Sequence, residues 1–418
     1  RGAAMSPHPP KDAVLAVARE RAAAVYCRGP LMDAVQRLCV FGDGKHFVDM
    51  PMRADPEDIL RAFDQLPQMA QQDPQMLKAF VEEHFLPPGA ELDPCVPEDF
   101  PGVPPFVADD AITDEALREF SVALHELWPT LCRRTASSVT KAPHRSSSLP
   151  RKHVMVLPGG RFRETYYWDC LWIVKGLLAS GMVETAQGLV QNLLDDVASF
   201  GFVPNGGRLY YLNRSQPPLL HAMVAAVAGR MGAEEEARWL PQALRRLRKE
   251  YEFWMSPENH RAVQVGEYTL NRFCAAWDEP RPESYWEDVV TSGGSRDVCR
   301  EIASGAETGW DFTSRWGRAA GRIDSNNFEL ESMEVTRILP VDLNAKMYSF
   351  ERCLAGMCEA VARGKRLAGA MGISAESLRD PEAVEFAAAA ARRRAAFQDL
   401  FWREDLGRWT DVWLPAAS

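Results

Sequence analysis

Apolar side chains recur at three- and four-residue intervals along most of the chain, the spacing that puts them on one face of a helix. Ile59, Leu60, Phe63, Leu66 and Met69, followed by Leu77, Phe80 and Val81, predict helix within residues 54–84. Thr113–Trp128 has the same character, with Thr113 as the expected N-cap and Pro129 just past the end. The face from Leu177 through Leu189, Leu193 and Val197 predicts a helix across 177–197, and similar faces occupy 218–230, 234–256, 342–370 and 381–400. Ala387–Ala391 strengthens the last of these through composition alone. Strand-like alternation is scarce, and only Phe202–Leu212 and Trp402–Trp413 suit short hairpins. The predicted class is all-α.

Between these helices lie long loops. Leu86–Pro105 is proline-rich, and Ala136–Ser148, rich in Ser, Thr, Lys and Arg, reads as an exposed connection. Structureless loops longer than about a dozen residues are uncommon in compact domains and are usually functional. Here they concentrate Arg, Trp, Tyr and Gly, so the helices read as scaffold and the loops as working surface.

Composition narrows the chemistry. A length of 418 residues suits one large domain or two to three ordinary ones, and 46% hydrophobic with 25% charged residues is ordinary for a globular chain. The net charge of −10 argues against a nucleic-acid partner, which calls for a basic face. No apolar run reaches the length of a membrane span. The chain opens Arg-Gly-Ala-Ala-Met, with no charged-then-apolar leader, and reads as a processed or partial start. Its nine cysteines are scattered without a metal-ligand spacing. Phosphate-cradling glycine loops and a GxSxG elbow are both missing, and the eight histidines are dispersed.

Four loops carry candidate chemistry. Pro158–Asp169 places Gly159 and Gly160 before Arg161, so that the arginine can turn inward, and it ends in Tyr166, Tyr167, Trp168 and Asp169. Aromatic rings stack on the apolar face of a pyranose while charged groups bind its hydroxyls. Aromatic residues packed into a core would give the same spacing. Val203–Pro218 contributes Asn205, Arg214, Ser215 and Gln216, amide and charged groups suited to vicinal hydroxyls. Its Asn213-Arg214-Ser215 sequon is discounted, because a glycan would crowd the loop. Arg281-Pro282-Glu283-Ser284 and Glu307–Trp316 complete the set. In the latter, Asp311 stands between Trp310 and Phe312, where desolvation would raise a carboxyl toward a general acid. Asp311 leads on that chemistry, with Glu283 and Asp169 behind it.

In this order the loops resemble those of trehalases. Pro158–Asp169 matches the family signature PGGRFxExYxWD without a gap, and Lys45–Pro51, Pro204–Arg208, Arg214–Pro218, Arg281–Ser284, Gly309–Phe312 and Pro340–Ala345 are similar to family motifs. The resemblance implies an (α/α)6 toroid over residues 54–418 after an N-terminal extended segment, 1–53. It implies inverting hydrolysis of α,α-trehalose to two glucose molecules, with Asp311 as general acid. Sugar contacts carried over by motif are Arg161, Trp168, Asp169, Asn205, Arg214, Ser215, Gln216, Arg281, Pro282, Glu283 and Gly309, with no metal or organic cofactor. The family's Gln-Trp-Asp-x-Pro signature and the base near it do not occur in these 418 residues. The expectation is therefore a toroid lacking its last helices and its general base. Another toroidal α-glucosidase, or a silent sugar-binding product, are the alternatives. Secretion or a lipid anchor at the cell surface is expected from the animal members.

Overall fold

The computed structural model describes residues 11–108, 111–317, 329–368 and 380–415. Residues 1–10, and positions 369–370 of the helix expected over 342–370, lie outside them. Six helices open the chain: α1 (Lys11–Tyr26), α2 (Pro30–Arg37), α3 (Gly44–Val48), α4 (Pro56–Asp64), α5 (Gln68–Gln71) and α6 (Pro74–His84). The described part of segment 1–53 is thus helical, not extended. Pro30 at the first turn of α2 and the Asp43 carboxylate capping α3 start these short helices where periodicity gives little warning. Val25, Leu31, Phe47, Ile59, Phe63 and Phe85 bury one core with Tyr166, Tyr210 and Tyr211 from the downstream loops.

After α7 (Pro105–Ala108), α8 covers Glu115–Glu126, capped by Asp114, which accepts from the Leu117 amide at 2.9 Å, rather than by Thr113. Pro129 does not end the helical stretch but sits in the next turn, α9 (Trp128–Leu131). The stretch expected as an exposed connection contains α10 (Ser137–Lys141) and then buries Ser146, Ser147 and Ser148. Burial is possible because each short hydroxyl can be satisfied locally; Ser147 Oγ, for instance, donates to the Val48 carbonyl at 2.6 Å.

The larger core lies in two alternating layers. Helices α11 (Asp169–Ala179), α13 (Leu220–Ala228) and α17 (Val341–Ala368) pack side by side, while α12 (Val183–Phe200), α14 (Ala233–Met255) and α18 (Pro381–Ala396) cover them. This is the all-α arrangement of an α/α toroid. The periodic run 177–197 is two helices, not one, because the chain reverses at Gly181 (φ +81°). Leu177, Leu189, Val190, Val224, Leu247 and Phe350 fill the space between layers, each side chain contributing about 1.5–3 kcal/mol. Among the described residues no helix is long and apolar enough to cross a membrane.

Strands are short. β1 (Leu92–Pro94), β2 (Cys132–Thr135) and β3 (Met155–Val156) make one antiparallel sheet, and β4 (Ala262–Val265) pairs with β5 (Tyr268–Asn271), neither foreseen. β6 (Ile338–Leu339) pairs with β9 (Val412–Trp413), and the expected C-terminal hairpin is β7 (Trp402–Arg403) with β8 (Arg408–Trp409). The hairpin expected over 202–212 does not form; isolated bridges, Tyr166 to Gly206 and Ser148 to Arg208, tie that loop to its neighbours instead. Helices α15 (Tyr285–Ser292) and α16 (Arg296–Glu307) pack on each other and carry the last site loops.

One buried acid makes the core pH-sensitive. Glu250 of α14 accepts from the Tyr167 hydroxyl, and burial pushes its carboxyl from 4.5 up to about 8. The unfolded chain ionises at the lower value, so stability present at pH 4.5 is lost as pH rises to 8, at up to about 1.4 kcal/mol per pH unit. Glu250→Gln should lack this slope. Melting curves taken from pH 5 to 8 should show the variant gaining on the wild type, and parallel curves would contradict the assignment.

Candidate active site

The site loops rest on a buried charge network. Lys45 of α3 pairs with Asp49 and, at 2.9 Å, with Glu164 of the Pro158–Asp169 loop. Arg208 reaches Glu164 at 2.9 Å, Glu91 at 2.8 Å and Asp49 at 3.1 Å, while the Tyr210 hydroxyl donates to Asp49 at 2.6 Å. All five charged groups are buried. Burial pushes the Glu164 carboxyl up, but Arg208 and Lys45 outweigh it and hold the group below its ordinary value. The Lys45–Pro51 motif therefore anchors the signature loop.

Above this floor opens a cleft of about 290 Å³. Ten of the residues singled out from the sequence line it: Arg161, Trp168, Asp169, Asn205, Arg214, Gln216, Arg281, Glu283, Gly309 and Asp311. Ser215 and Pro282 do not. Ser215 is fully buried, its amide donating to Glu307 at 2.8 Å and its hydroxyl to the Val203 carbonyl at 2.7 Å. Pro282 is buried in a 3₁₀ turn, its carbonyl accepting from Gln36 at 3.3 Å. Both shape loops that present their neighbours.

Carboxylates aim the arginines. Arg214 donates to Asn205 Oδ1 at 3.0 Å and Glu283 Oε1 at 2.7 Å. Arg281 forks onto Asp288 with two bonds of 2.8 Å, and its guanidinium stands 5.2 Å from the Phe312 ring. Arg161 does not turn fully inward as its glycines suggested; it forks onto Asp43 at 2.7 and 2.6 Å on the cleft rim, half exposed. The Gln216 side-chain oxygen accepts from the Trp168 amide at 3.1 Å. Gly309 (φ +71°) lies under the Trp168 indole, where a Cβ would approach within 2.9 Å. The sequon asparagine, Asn213, has its side-chain nitrogen buried, so the folded site has no room for a glycan there.

The three candidate acids are held apart electrically. Asp311 has solvent on its cleft side, yet desolvation still raises its carboxyl; Arg281 and Arg214 pull it back and Glu283 adds to the rise. Trp310 contributes less wall than its position in sequence suggests, being 49% exposed. Asp169, half-buried at the start of α11, is also raised by desolvation. Burial pushes Glu283 up, but Arg214 and Arg281 prevail and keep it below its ordinary value. Groups whose environments separate them in this way can divide acid and base roles.

Residues 39–418 match the trehalase family profile. The chain belongs to the trehalase family. It is 35% identical to the Homo sapiens trehalase over 398 residues, 93% of this chain and 64% of that one. The trehalase of Dictyostelium discoideum is 36% identical over 411 residues, 94% and 64% of the two chains, and that of Bombyx mori 35% over 398 residues, 93% and 64%. This chain thus spans 64% of the length of each of these relatives. The neutral trehalase of Saccharomyces cerevisiae superposes with a TM-score of 0.49 at 22% identity, covering 62% of this chain and 48% of that structure.

Sequence reading missed the residues that hold this trehalase-family cleft in shape. Asp43 and Asp288 fix Arg161 and Arg281, and Glu307 binds Arg261 at 2.6 Å, the Ser215 amide and the Cys274 amide at 3.1 Å. Asp288 lies seven residues beyond Arg281, but the 3₁₀ turn Pro282–Ser284 stands between Arg281 and α15, so no helical spacing rule flags the pair. Asp43 is 118 residues from its arginine, and nothing local signals the pair.

Two substitutions test the geometry. Asp43→Asn keeps a cap for α3 but removes the charged fork on Arg161. KM should rise about fivefold or more with a smaller change in kcat, and an unchanged KM would mean that Arg161 needs no such tether. Gly309→Ala imposes a strained backbone and a clash with Trp168, and thermal denaturation should register a loss of about 1–3 kcal/mol.

Proposed function

We propose that this cleft hydrolyses α,α-trehalose to two glucose molecules with inversion. Asp311 is the general acid. Its carboxyl, raised by desolvation, donates its proton to the bridging oxygen as the C1–O bond breaks, and a water adds to the opposite face of the ring. The base that activates this water is expected, from the family resemblance, in the part of the relatives' length that this chain does not span. Trp168 offers a face for a sugar ring, and Arg161, Asn205, Gln216 and Arg281 offer donors to its hydroxyls. Glu283 stays ionised and keeps Arg214 oriented. The observation that carries this reading is the presence of a raised, arginine-flanked carboxyl at Asp311 in the same cleft as the signature tryptophan and arginines.

In the enzyme containing this chain, Asp311→Asn should lower kcat on trehalose by several orders of magnitude while leaving KM within a few-fold. Retained turnover would remove Asp311 from its role. A panel of trehalose, maltose and kojibiose separates trehalose hydrolysis from other α-glucosidase activity, and preference for either of the last two would contradict the substrate assignment. The acid works only while protonated, so kcat/KM should decline as pH rises through the elevated pKa of Asp311. Glu283→Gln removes a neighbouring negative charge and should move that decline to lower pH. A pH profile with no such shift would mean that the titrating group is another one.

A further inference from the structure

The loop that carries Asp311 runs on into a cation that the proposed reaction does not use. Arg315 lies four residues beyond Asp311, in the 3₁₀ turn Ser314–Trp316. Its guanidinium stands 4.6 Å from the centre of the Trp316 ring and 5.6 Å from that of Trp310. Two acids fix it there. Asp411 takes a fork, from Arg315 Nε at 2.7 Å and Nη2 at 2.8 Å, and Asp342 accepts from Nη2 at 2.8 Å. A forked pair fixes the direction of a guanidinium as well as its distance.

Both acids come from segments outside the cleft. Asp342 belongs to the Pro340–Ala345 motif, in the first turn of α17, and none of that motif lines the cleft. Asp411 immediately precedes β9, and its Oδ1 also accepts from the Val341 amide at 2.9 Å. β9 in turn pairs with β6, just ahead of α17. This unit reaches Asp311 through the neighbouring residue. Trp316 is fully buried, and its indole N–H donates to the Trp310 carbonyl at 3.1 Å. The Trp310 amide donates to the Thr308 hydroxyl at 2.9 Å, which donates to the Gly305 carbonyl of α16 at 2.7 Å. Trp310 is thus gripped at both backbone groups, and its carbonyl belongs to the peptide that leads into Asp311.

We infer that Arg315, held by Asp342 and Asp411, is a positioning residue that sets the placement of Asp311 through Trp316 and Trp310. This rests on the reading of Asp311 as the general acid. Arg315, Asp342 and Asp411 all lie outside the cleft lining, so their loss leaves the sugar contacts in place. What suffers is proton delivery to the leaving sugar, since a displacement of about 1 Å at a reacting group costs on the order of a hundredfold in rate.

Kinetics on two substrates, in the enzyme containing this chain, test the inference. Trehalose needs its leaving sugar protonated, whereas α-glucosyl fluoride releases fluoride, a weak base that needs little help from an acid. Arg315→Gln should lower kcat on trehalose about tenfold to a hundredfold, with KM within a few-fold. Its fluoride release from α-glucosyl fluoride should stay within about threefold of the wild type. Arg315→Lys keeps the cation beside the indoles but cannot fork onto Asp411, and its trehalose turnover should lie between those of Arg315→Gln and the wild type. Asp411→Asn preserves shape and should repeat the pattern, so the test stays decisive if Arg315→Gln folds poorly. Unchanged trehalose turnover in the Arg315 and Asp411 variants would overturn the inference. Equal losses on both substrates, the mark of a protein that is merely less well folded, would also overturn it. Asp311→Asn measured alongside separates the two claims. If it keeps its trehalose turnover, the acid assignment fails and the positioning role with it; if it is inert while the Arg315 and Asp411 variants are fully active, the positioning role alone fails.

Discussion

Two buried cations, Lys45 and Arg208, meet three buried carboxylates, Asp49, Glu91 and Glu164, beneath the site. Taking five charges out of water is unfavourable in itself, and only close mutual pairing offsets it. The pairing works at one arrangement of four distant segments: the end of α3, the start of β1, the signature loop and the loop after α12. Removing a single partner from such a cluster commonly costs about 3–5 kcal/mol, because the others remain buried and uncompensated. The network therefore fixes where the signature loop sits, and the remaining geometry of the cleft follows from that placement.

A second tier of ion pairs sets the arginines. Arg161, Arg214, Arg261 and Arg281 each have an acid, respectively Asp43, Glu283, Glu307 and Asp288. Arginine's planar fork loses little freedom per bond and holds its direction when gripped on two sides. Among the described residues, Asp311 and Asp169 are cleft acids that no arginine or lysine grips by an ion pair. They are the two whose carboxyls end above the ordinary value, whereas at Glu283 two arginines outweigh the burial that pushes it up. The difference in acidity among the three carboxylates thus follows from which of them the arginines pair with.

The core provides rigidity, and it carries its own constraint. Tyr167 stands beside Trp168 in sequence, yet its hydroxyl points into the helical layers, where it accepts from the Leu219 and Leu220 amides and binds Glu250. Neighbouring aromatics thus serve opposite sides of one loop: Tyr167 locks it to α13 and α14, and Trp168 lines the cleft over Gly309. Sequence spacing could not separate these roles, because both residues belong to the same unbroken motif.

Helical periodicity, the near absence of alternation and the loop motifs were enough to determine an all-α fold, the family and ten of the cleft residues. These signals are local, since a 3.6-residue repeat or a contiguous signature needs no partner elsewhere. Local signals failed where long-range contacts overrule them. The burial of Ser146–Ser148 and the hairpin missing from 202–212 depend on packing against distant elements, whereas the break at Gly181 and the short helices of 11–48 rest on a single glycine and on caps that periodicity does not register. Ser215 and Pro282 stand within recognised motifs but face away from the cleft, because a motif specifies a backbone path and not each side chain's direction. Only the tertiary structure decided which carboxylate holds which arginine, since Asp43–Arg161 and Arg214–Glu283 join residues 118 and 69 positions apart. Arg214 and Glu283, with Arg281, then modulate the rise that desolvation gives Asp311, and a linear sequence records neither their distances nor their burial.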